Sequence, residues 1–174
     1  MIFRRVIVGI LETNCYLLIK NNKVLIVDPG DEYLKIINEV GNLVCVGILL
    51  THRHFDHIGA LDDLVNHYKV EVYDKNNLNE GKHNIDLFDF EVIYNPGHTD
   101  DSISYYFKKE NILFSGDFIF KGSVGRTDLG GNNLDMLNSI NKIKQYNKDI
   151  IIEPGHGEET TLEYELKYNP FFKY

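Results

Sequence analysis

Apolar and polar residues in the first half of the chain follow two different spacings, which predict strands and helices in alternation. Residues 44–50 form an apolar run with β-branched side chains, which is typical of a buried strand. The dipeptide at Asn21 and Asn22 separates two similar runs and fits the tight turn of a hairpin. The strand-like segments in this half are residues 2–8, 15–20, 23–28, 44–50 and 70–73. Helical spacing occurs at residues 31–40, with Leu34, Ile37 and Val40, and at residues 58–68, with Leu61, Leu64, Val65 and Tyr68 on one face.

The second half repeats this alternation after a polar, weakly patterned stretch at residues 74–89. Residues 102–107 and 111–114 are predicted to pair as a hairpin across the polar residues 108–110. The other predicted elements are strands at 90–94 and 149–152, a helix at 134–146 with Leu137, Ile140 and Ile143 inward, and a short last helix at 160–168. The pattern alone therefore predicts an α/β or α+β fold in one domain, residues 1–174.

Side chains that can bind a metal ion are concentrated directly after the predicted strand at residues 44–50. His52, His54, Asp56 and His57 follow it within one short segment. Imidazole and carboxylate are ligands that divalent metals such as zinc and iron prefer. Side chains of these types otherwise seek water or polar partners, so the grouping indicates a metal site.

Three other strand-like runs end in the same way. His98 follows residues 90–94, Asp117 follows 111–114, and His156 follows 149–152, each after a turn marked by glycine or proline. Such turns bend the backbone sharply and aim one side chain inward. Ligands at the ends of several strands converge on one mouth of a sheet, so we expect these residues to join the histidine cluster.

The order and spacing of these residues resemble the metallo-β-lactamase superfamily, and the resemblance covers nearly the whole chain. It is closest to the small glyoxalase II-like (hydroxyacylglutathione hydrolase-like) enzymes, on three further motifs: Thr13-Asn14-Cys15-Tyr16, Asp28-Pro29-Gly30, and the stretch from Phe120 to Asp128 after Asp117. The resemblance implies a four-layer αββα sandwich.

The resemblance also implies a ligand set for two divalent metal ions, zinc being expected and iron or manganese compatible with the same ligands. One ion would be held by His52, His54 and His98, and the other by Asp56, His57 and His156, with Asp117 bridging them. Two metals about 3.5–4 Å apart lower the pKa of a shared water to near neutrality. The hydroxide would attack a carbonyl, with Asp56 orienting it and moving a proton as general base.

The expected activity is hydrolysis of an acyl thioester of a small thiol. The longer glyoxalase II enzymes carry a C-terminal helical region that grips glutathione, whereas this chain ends at Tyr174, so we expect weak discrimination among thiol carriers. A persulfide dioxygenase with one iron on His52, His98 and Asp117 is an alternative, as is a lactone or β-lactam hydrolase. A nuclease or a metal-binding protein without activity is disfavoured, the latter because no ligand of the set is missing.

The amino-acid composition indicates which binding partners and which cellular compartment to expect. The apolar fraction of 43%, the charged fraction of 25% and the net charge of −8 are those of a globular protein that does not favour nucleic acid or anionic membranes. We expect neither a transmembrane helix nor a signal peptide, and hence a cytoplasmic protein acting on a small molecule. Cys15 and Cys45 lie within apolar strand patterns and are predicted to be free and buried.

Several polar side chains could have either of two roles. Arg126 could anchor a substrate carboxylate or form a salt bridge with an acid such as Asp128, and we favour the salt bridge. Asp28 could accept a hydrogen bond from a metal ligand or simply shape a turn, and we favour the turn. His67 and His83 are predicted to be exposed and outside the site. The candidates to orient the metal-binding imidazoles are Thr51, Thr99, Asp100, Asp101 and Ser102.

Overall fold

The first half of the chain forms a five-stranded sheet in the order β1-β2-β3-β4-β5. The computed structural model describes residues 1–173. β1 to β3 are antiparallel, whereas β3, β4 and β5 are parallel. The elements of this half are β1 (Ile2–Val8), β2 (Thr13–Lys20), β3 (Lys23–Val27), α1 (Tyr33–Val40), β4 (Val44–Leu49), α2 (Phe55–Ile58), α3 (Leu61–Tyr68) and β5 (Val72–Tyr73).

The second half forms a six-stranded sheet in the order β13-β12-β9-β8-β7-β6, together with a separate β10-β11 hairpin. Only the β9–β12 pair is parallel in this sheet, so β7, β9 and β12 run in the same direction. The elements are β6 (Gly81–Ile85), β7 (Phe88–Tyr94), β8 (Ile103–Phe107), β9 (Ile112–Gly116), β10 (Ile119–Phe120), β11 (Ser123–Val124), α4 (Asn133–Ile143), β12 (Ile151–Pro154), β13 (Thr160–Thr161), α5 (Leu162–Tyr168) and a 3-10 turn (Pro170–Phe172).

The buried residues divide into three layers of core, which confirms the predicted αββα sandwich. The two sheets pack face to face through side chains such as Leu25 and Phe90. The outer face of the first sheet is covered by α1 and α3, where Ile36 and Leu64 are buried. The outer face of the second sheet is covered by α4 and α5. Helices outside two central sheets leave one shared edge at which loops from both sheets meet.

The structure differs from the sequence expectations most clearly in three elements, and it also contains the unpredicted hairpin β10–β11 and strand β13. The predicted helix at 58–68 begins only at Leu61, because Ala60 leaves the helical conformation and separates α3 from the short helix α2, which ends at Ile58. The polar stretch at 74–89 contains the edge strand β6, which the weak pattern did not reveal. The helix at 31–40 is shorter and buries Ile36 and Val40 while Leu34 is exposed.

The remaining expectations about single residues are largely confirmed. Cys15 and Cys45 are buried and free, and His67 is exposed. His83 is only partly exposed, since its ring stacks on Phe90 and its Nε2 lies 2.7 Å from the Asn79 carbonyl oxygen. No helix within residues 1–173 is long and apolar enough to cross a membrane.

Candidate metal centre

All seven predicted ligands lie together at one edge of the sandwich. His52 and His54 follow β4, and Asp56 and His57 lie in α2. Three further ligands follow the carboxyl ends of strands in the second sheet: His98 after β7, Asp117 after β9 and His156 after β12. Because β7, β9 and β12 run in the same direction, their ends bring these side chains to the same edge.

The first group of candidate ligands is His52, His54 and His98, whose ligand atoms lie within 4.8 Å of one another. The Nδ1 atom of His54 is 2.8 Å from the Nε2 atom of His98. The ring centroids of His52 lie 4.8 Å from His54 and 4.9 Å from His98. Three imidazoles that converge in this way form a set suited to one divalent ion.

The second group is Asp56, His57 and His156. Asp56 Oδ2 is 3.5 Å from His57 Nε2 and 3.1 Å from His156 Nε2. Asp117 lies between the groups, with Oδ1 3.2 Å from His57 Nε2 and Oδ2 3.5 Å from His98 Nε2. Oδ2 is also 3.6 Å from His156 Nε2, so this one carboxylate faces both groups, as a bridging ligand would.

The spacing of these atoms fits metal coordination. A tetrahedral ion bound at about 2.0–2.1 Å separates its ligand atoms by roughly 3.3–3.4 Å. The five carboxylate–imidazole distances given above, from 3.1 to 3.6 Å, bracket that value. Within the described residues, His52 Nε2 is buried without a hydrogen-bond partner, and His57 Nε2 and Asp117 Oδ1 face each other at 3.2 Å without hydrogen-bond geometry. Such atoms are costly to bury unpaired, and divalent metal ions would satisfy them.

Asp28 is not a candidate ligand, but its hydrogen bonds link the two ligand groups. Its Oδ2 accepts hydrogen bonds from the Thr51 hydroxyl at 2.6 Å and from His57 Nδ1 at 3.0 Å, and its Oδ1 accepts from the Thr51 amide at 2.8 Å. The Thr51 hydroxyl lies 3.1 Å from His52 Nδ1 and accepts from it. Asp28 thus orients His57 directly and His52 through Thr51. It also shapes the turn with a φ of 48°, so it fills both roles considered from the sequence.

The other three imidazoles are oriented by main-chain carbonyl groups. His98 Nδ1 donates to the Arg126 carbonyl at 2.7 Å, His54 Nε2 to the Leu129 carbonyl at 3.0 Å, and His156 Nδ1 to the Leu11 carbonyl at 2.9 Å. Each ring therefore turns its other nitrogen toward the cluster. Of the acceptors predicted from sequence, Thr51 alone contacts a ligand ring; Thr99 and Ser102 bond to each other instead.

Burial and neighbouring charges set the protonation of the cluster. Burial lowers the pKa of His52 well below its usual value, so this ring is neutral at pH 7. Burial opposes charge on Asp117, but the contact with His57 outweighs it and lowers the pKa to about 2. Burial likewise opposes charge on His57, whereas Asp28 and Asp117 raise its pKa to about 10. A metal ion held by His57 would therefore have to displace a proton.

The Thr13-Asn14-Cys15-Tyr16 motif holds the loop that carries His156. Asn14 donates from Nδ2 to the carbonyl oxygens of Pro154 and Gly157, both at 3.0 Å. The Tyr16 hydroxyl donates to the Pro154 carbonyl at 2.6 Å. Thr13 Oγ1 donates to Asp56 Oδ2 at 3.1 Å. The motif predicted from the resemblance thus has a structural role next to the ligands.

A cavity of about 700 Å³ opens above the cluster. Four apolar residues line it beside the candidate ligands: Leu11, Phe55, Phe120 and Leu129. Arg126 also lines the cavity, but its Nε and Nη2 atoms contact the two carboxylate oxygens of Asp128 at 2.7 and 2.6 Å. The favoured salt bridge is therefore present. The sequence reasoning missed the apolar lining, whose only sequence signal is its position next to the ligands.

Comparisons with known proteins agree with this geometry. A sequence model of the metallo-beta-lactamase superfamily matches residues 8–76 and 76–156. The chain is 39% identical to "Probable metallo-hydrolase YqgX" of Bacillus subtilis, over 98% of this chain and 97% of the relative. It is 33% identical to the hydroxyacylglutathione hydrolase GloC of Haemophilus influenzae, over 92% of each protein.

Solved structures share the fold over nearly the whole chain. The B3 metallo-beta-lactamase BLEG-1 has a TM-score of 0.95 at 34% identity and covers 99% of this chain and 100% of its own. TTHA1623 in a di-iron-bound form has a TM-score of 0.88 at 31% identity, covering 97% and 99%. ETHE1 from Myxococcus xanthus has a TM-score of 0.87 at 28% identity, covering 98% and 84%.

Proposed function

Because this chain belongs to the metallo-beta-lactamase superfamily of metal-dependent hydrolases, we propose that it hydrolyses acyl thioesters of small thiols. The observation that carries the proposal is the pair of ligand groups joined by Asp117 at the base of an open cavity. The likeness to a hydroxyacylglutathione hydrolase supports the thioester as the substrate class.

The ligand assignment is part of the proposal. His52, His54 and His98 would hold one divalent ion, Asp56, His57 and His156 the other, and Asp117 both. We propose zinc as the native metal, although the same ligands accept iron and manganese and a related structure contains two irons. When bound, such ions supply Lewis acidity and lower the pKa of a water molecule.

The chain's own residues would position the water and receive its proton. Asp56 is ionised at neutral pH, since its contact with His156 outweighs burial and lowers the pKa of the carboxyl well below its usual range. Thr13 fixes its Oδ2 atom, so the carboxylate can orient an attacking water, and because its pKa is low it would hold the proton of the water only transiently before passing it on. The water oxygen would bond to the thioester carbon, the C–S bond would break, and the leaving thiolate would take up the proton.

Two alternative reactions have specific support. The similarity to a B3 metallo-beta-lactamase favours β-lactam or lactone hydrolysis by the same groups. The similarity to ETHE1 supports the second alternative, a persulfide dioxygenase in which His52, His98 and Asp117 would hold one iron.

One set of assays separates these reactions. Protein loaded with zinc or iron would be given an S-lactoyl thiol without oxygen, a chromogenic β-lactam, and a glutathione persulfide with an oxygen electrode. We expect thiol release from the thioester, loss of that activity after chelation, and no oxygen uptake. Oxygen uptake with one iron per chain, or turnover of the β-lactam alone, would replace the thioesterase proposal.

A further inference from the structure

The rim of the cavity is apolar and exposed. Leu11, Phe55 and Leu129 line it and are 48%, 72% and 50% exposed. Ile10 lies next to Leu11 at the tip of the β1–β2 hairpin and is 95% exposed. Single apolar side chains on a surface need no explanation, but a group around one reactive cavity indicates an apolar ligand.

This rim is held in a fixed relation to the candidate ligands. The Leu11 carbonyl accepts from His156, and the Leu129 carbonyl accepts from His54. Phe55 stands in the chain between His54 and Asp56, at the start of α2. A substrate whose carbonyl group reaches the cluster would therefore lay its neighbouring atoms against the apolar side chains.

Apart from the proposed metal ions, which would be engaged at the reacting carbonyl group, the side chains around the cavity offer no free cation to an anionic thiol carrier. Apart from the imidazoles, Arg126 is the one basic residue among the described residues that line it. Its guanidinium is already bound to both carboxylate oxygens of Asp128. The chain as a whole carries a net charge of −8, which repels anions at long range. Glutathione, with two carboxylates, would find no unpaired cation here.

We propose that the cavity selects thioesters with an apolar acyl chain and has no preference for glutathione as the thiol carrier. This inference rests on the proposed thioesterase activity and names its substrate class. The acyl chain lies on Leu11, Phe55 and Leu129, and the thiol portion makes no ion pair with the protein.

The first test is a series of acyl chains on one uncharged thiol. The metal-loaded protein would be assayed with acetyl, butanoyl and hexanoyl thioesters of N-acetylcysteamine and with hexanoylglutathione. Burial of each methylene should raise kcat/KM roughly threefold to fourfold. The two hexanoyl thioesters should react within a few-fold of each other. A flat series, or a strong preference for the glutathione thioester, would overturn the inference.

Variants of the rim residues test whether these side chains cause the preference for a long acyl chain. Leu11→Ser and Leu129→Ser keep the main-chain carbonyls that orient His156 and His54 but remove the apolar side chains. The ratio of kcat/KM for hexanoyl over acetyl thioester should fall several-fold in each. Val44→Ser, at the opposite end of β4 and 52% exposed, is the matched control and should keep the ratio. Melting temperature and metal content would show that all three variants are folded and loaded. An unchanged ratio in both rim variants would refute the assigned surface.

A binding measurement separates this inference from the proposed function. Inert S-hexyl and S-methyl thioethers of N-acetylcysteamine would be titrated into the metal-loaded protein by calorimetry. The hexyl compound should bind more tightly and with a negative heat-capacity change. If no thioester is hydrolysed, the proposed function fails and this binding result alone decides the inference. Hydrolysis without any dependence on chain length in either assay would leave the function standing and reject the inference.

Discussion

Replacing Asp28 with Asn should weaken both metal sites, although Asp28 is not itself a candidate ligand. The carboxylate accepts three hydrogen bonds, from the amide and hydroxyl of Thr51 and from His57 Nδ1. An Asn side chain has one acceptor oxygen and an amide group that can only donate. If its NH₂ group faces His57 Nδ1, it favours the tautomer with the proton on Nε2, the atom that faces the cluster.

The expected loss of metal affinity depends on how many candidate ligands lose an orienting partner. Loss of a partner that orients a metal-binding histidine typically costs about 10–100-fold in metal affinity, or roughly 1.4–2.7 kcal/mol per ion. Asp28 acts on His57 directly and on His52 through Thr51, so both ions should be weakened by factors in this range. Thr51→Val removes only the hydroxyl, which lies next to His52, and should weaken mainly the first ion.

The assay is competition with a chromophoric chelator, with zinc content checked by elemental analysis. Asp31→Asn is the matched control, because Asp31 is exposed and lies three positions along the chain. Circular dichroism of the metal-free proteins would verify that each variant is folded. Unchanged affinity for both ions in Asp28→Asn, or an effect equal to that of the control, would refute the proposed coupling of the two groups.

Three further predictions concern the buried charges and the glycine next to the cluster. Glu153 is 2% exposed, and burial raises its pKa from 4.5 to about 7, so the folded protein keeps a proton that the unfolded chain releases. Stability should fall as the pH rises through that window, by up to roughly 3 kcal/mol, and Glu153→Gln should flatten this fall in urea denaturation of the metal-free protein; equal slopes would contradict it. Asp117→Ala should lose both metals in elemental analysis whereas His52→Ala loses mainly the first, and equal partial losses would argue against a bridge. Gly155→Ala would put a Cβ 2.2 Å from Asp117 Oδ1 and 2.7 Å from His57 Cε1, so metal content should drop, and full occupancy would disprove this steric account.

The grouping of the candidate ligands at one edge of the sandwich could be predicted from the sequence because its signal is local and chemical. An apolar run, a turn residue and a histidine or aspartate in succession, as at Pro154 to His156, define a strand end that carries a metal-binding side chain. The strand β6 could not be predicted in the same way. Its Lys82 and Asn84 lie on an exposed face at the sheet edge, so only Ile85 is buried and no alternating apolar pattern arises.

The groups that orient the ligands were harder to foresee for a different reason. The Leu11, Arg126 and Leu129 carbonyls belong to the main chain, and every residue type has such a group. No residue type therefore marks the position. Asp28 does carry a side-chain signal, but a turn at Pro29 and Gly30 explains the same residue, and only the folded structure shows that it does both.

The use of main-chain acceptors has a consequence for how this active site can diverge. Replacement of the side chain at positions 11, 126 or 129 leaves in place the carbonyl that aligns His156, His98 or His54. The same positions line the mouth of the cavity, where the proposed substrate would contact them. Single substitutions at these positions can therefore change substrate specificity while the candidate metal ligands keep their orientation. A substitution at Asp28, by contrast, would disturb the ligands themselves.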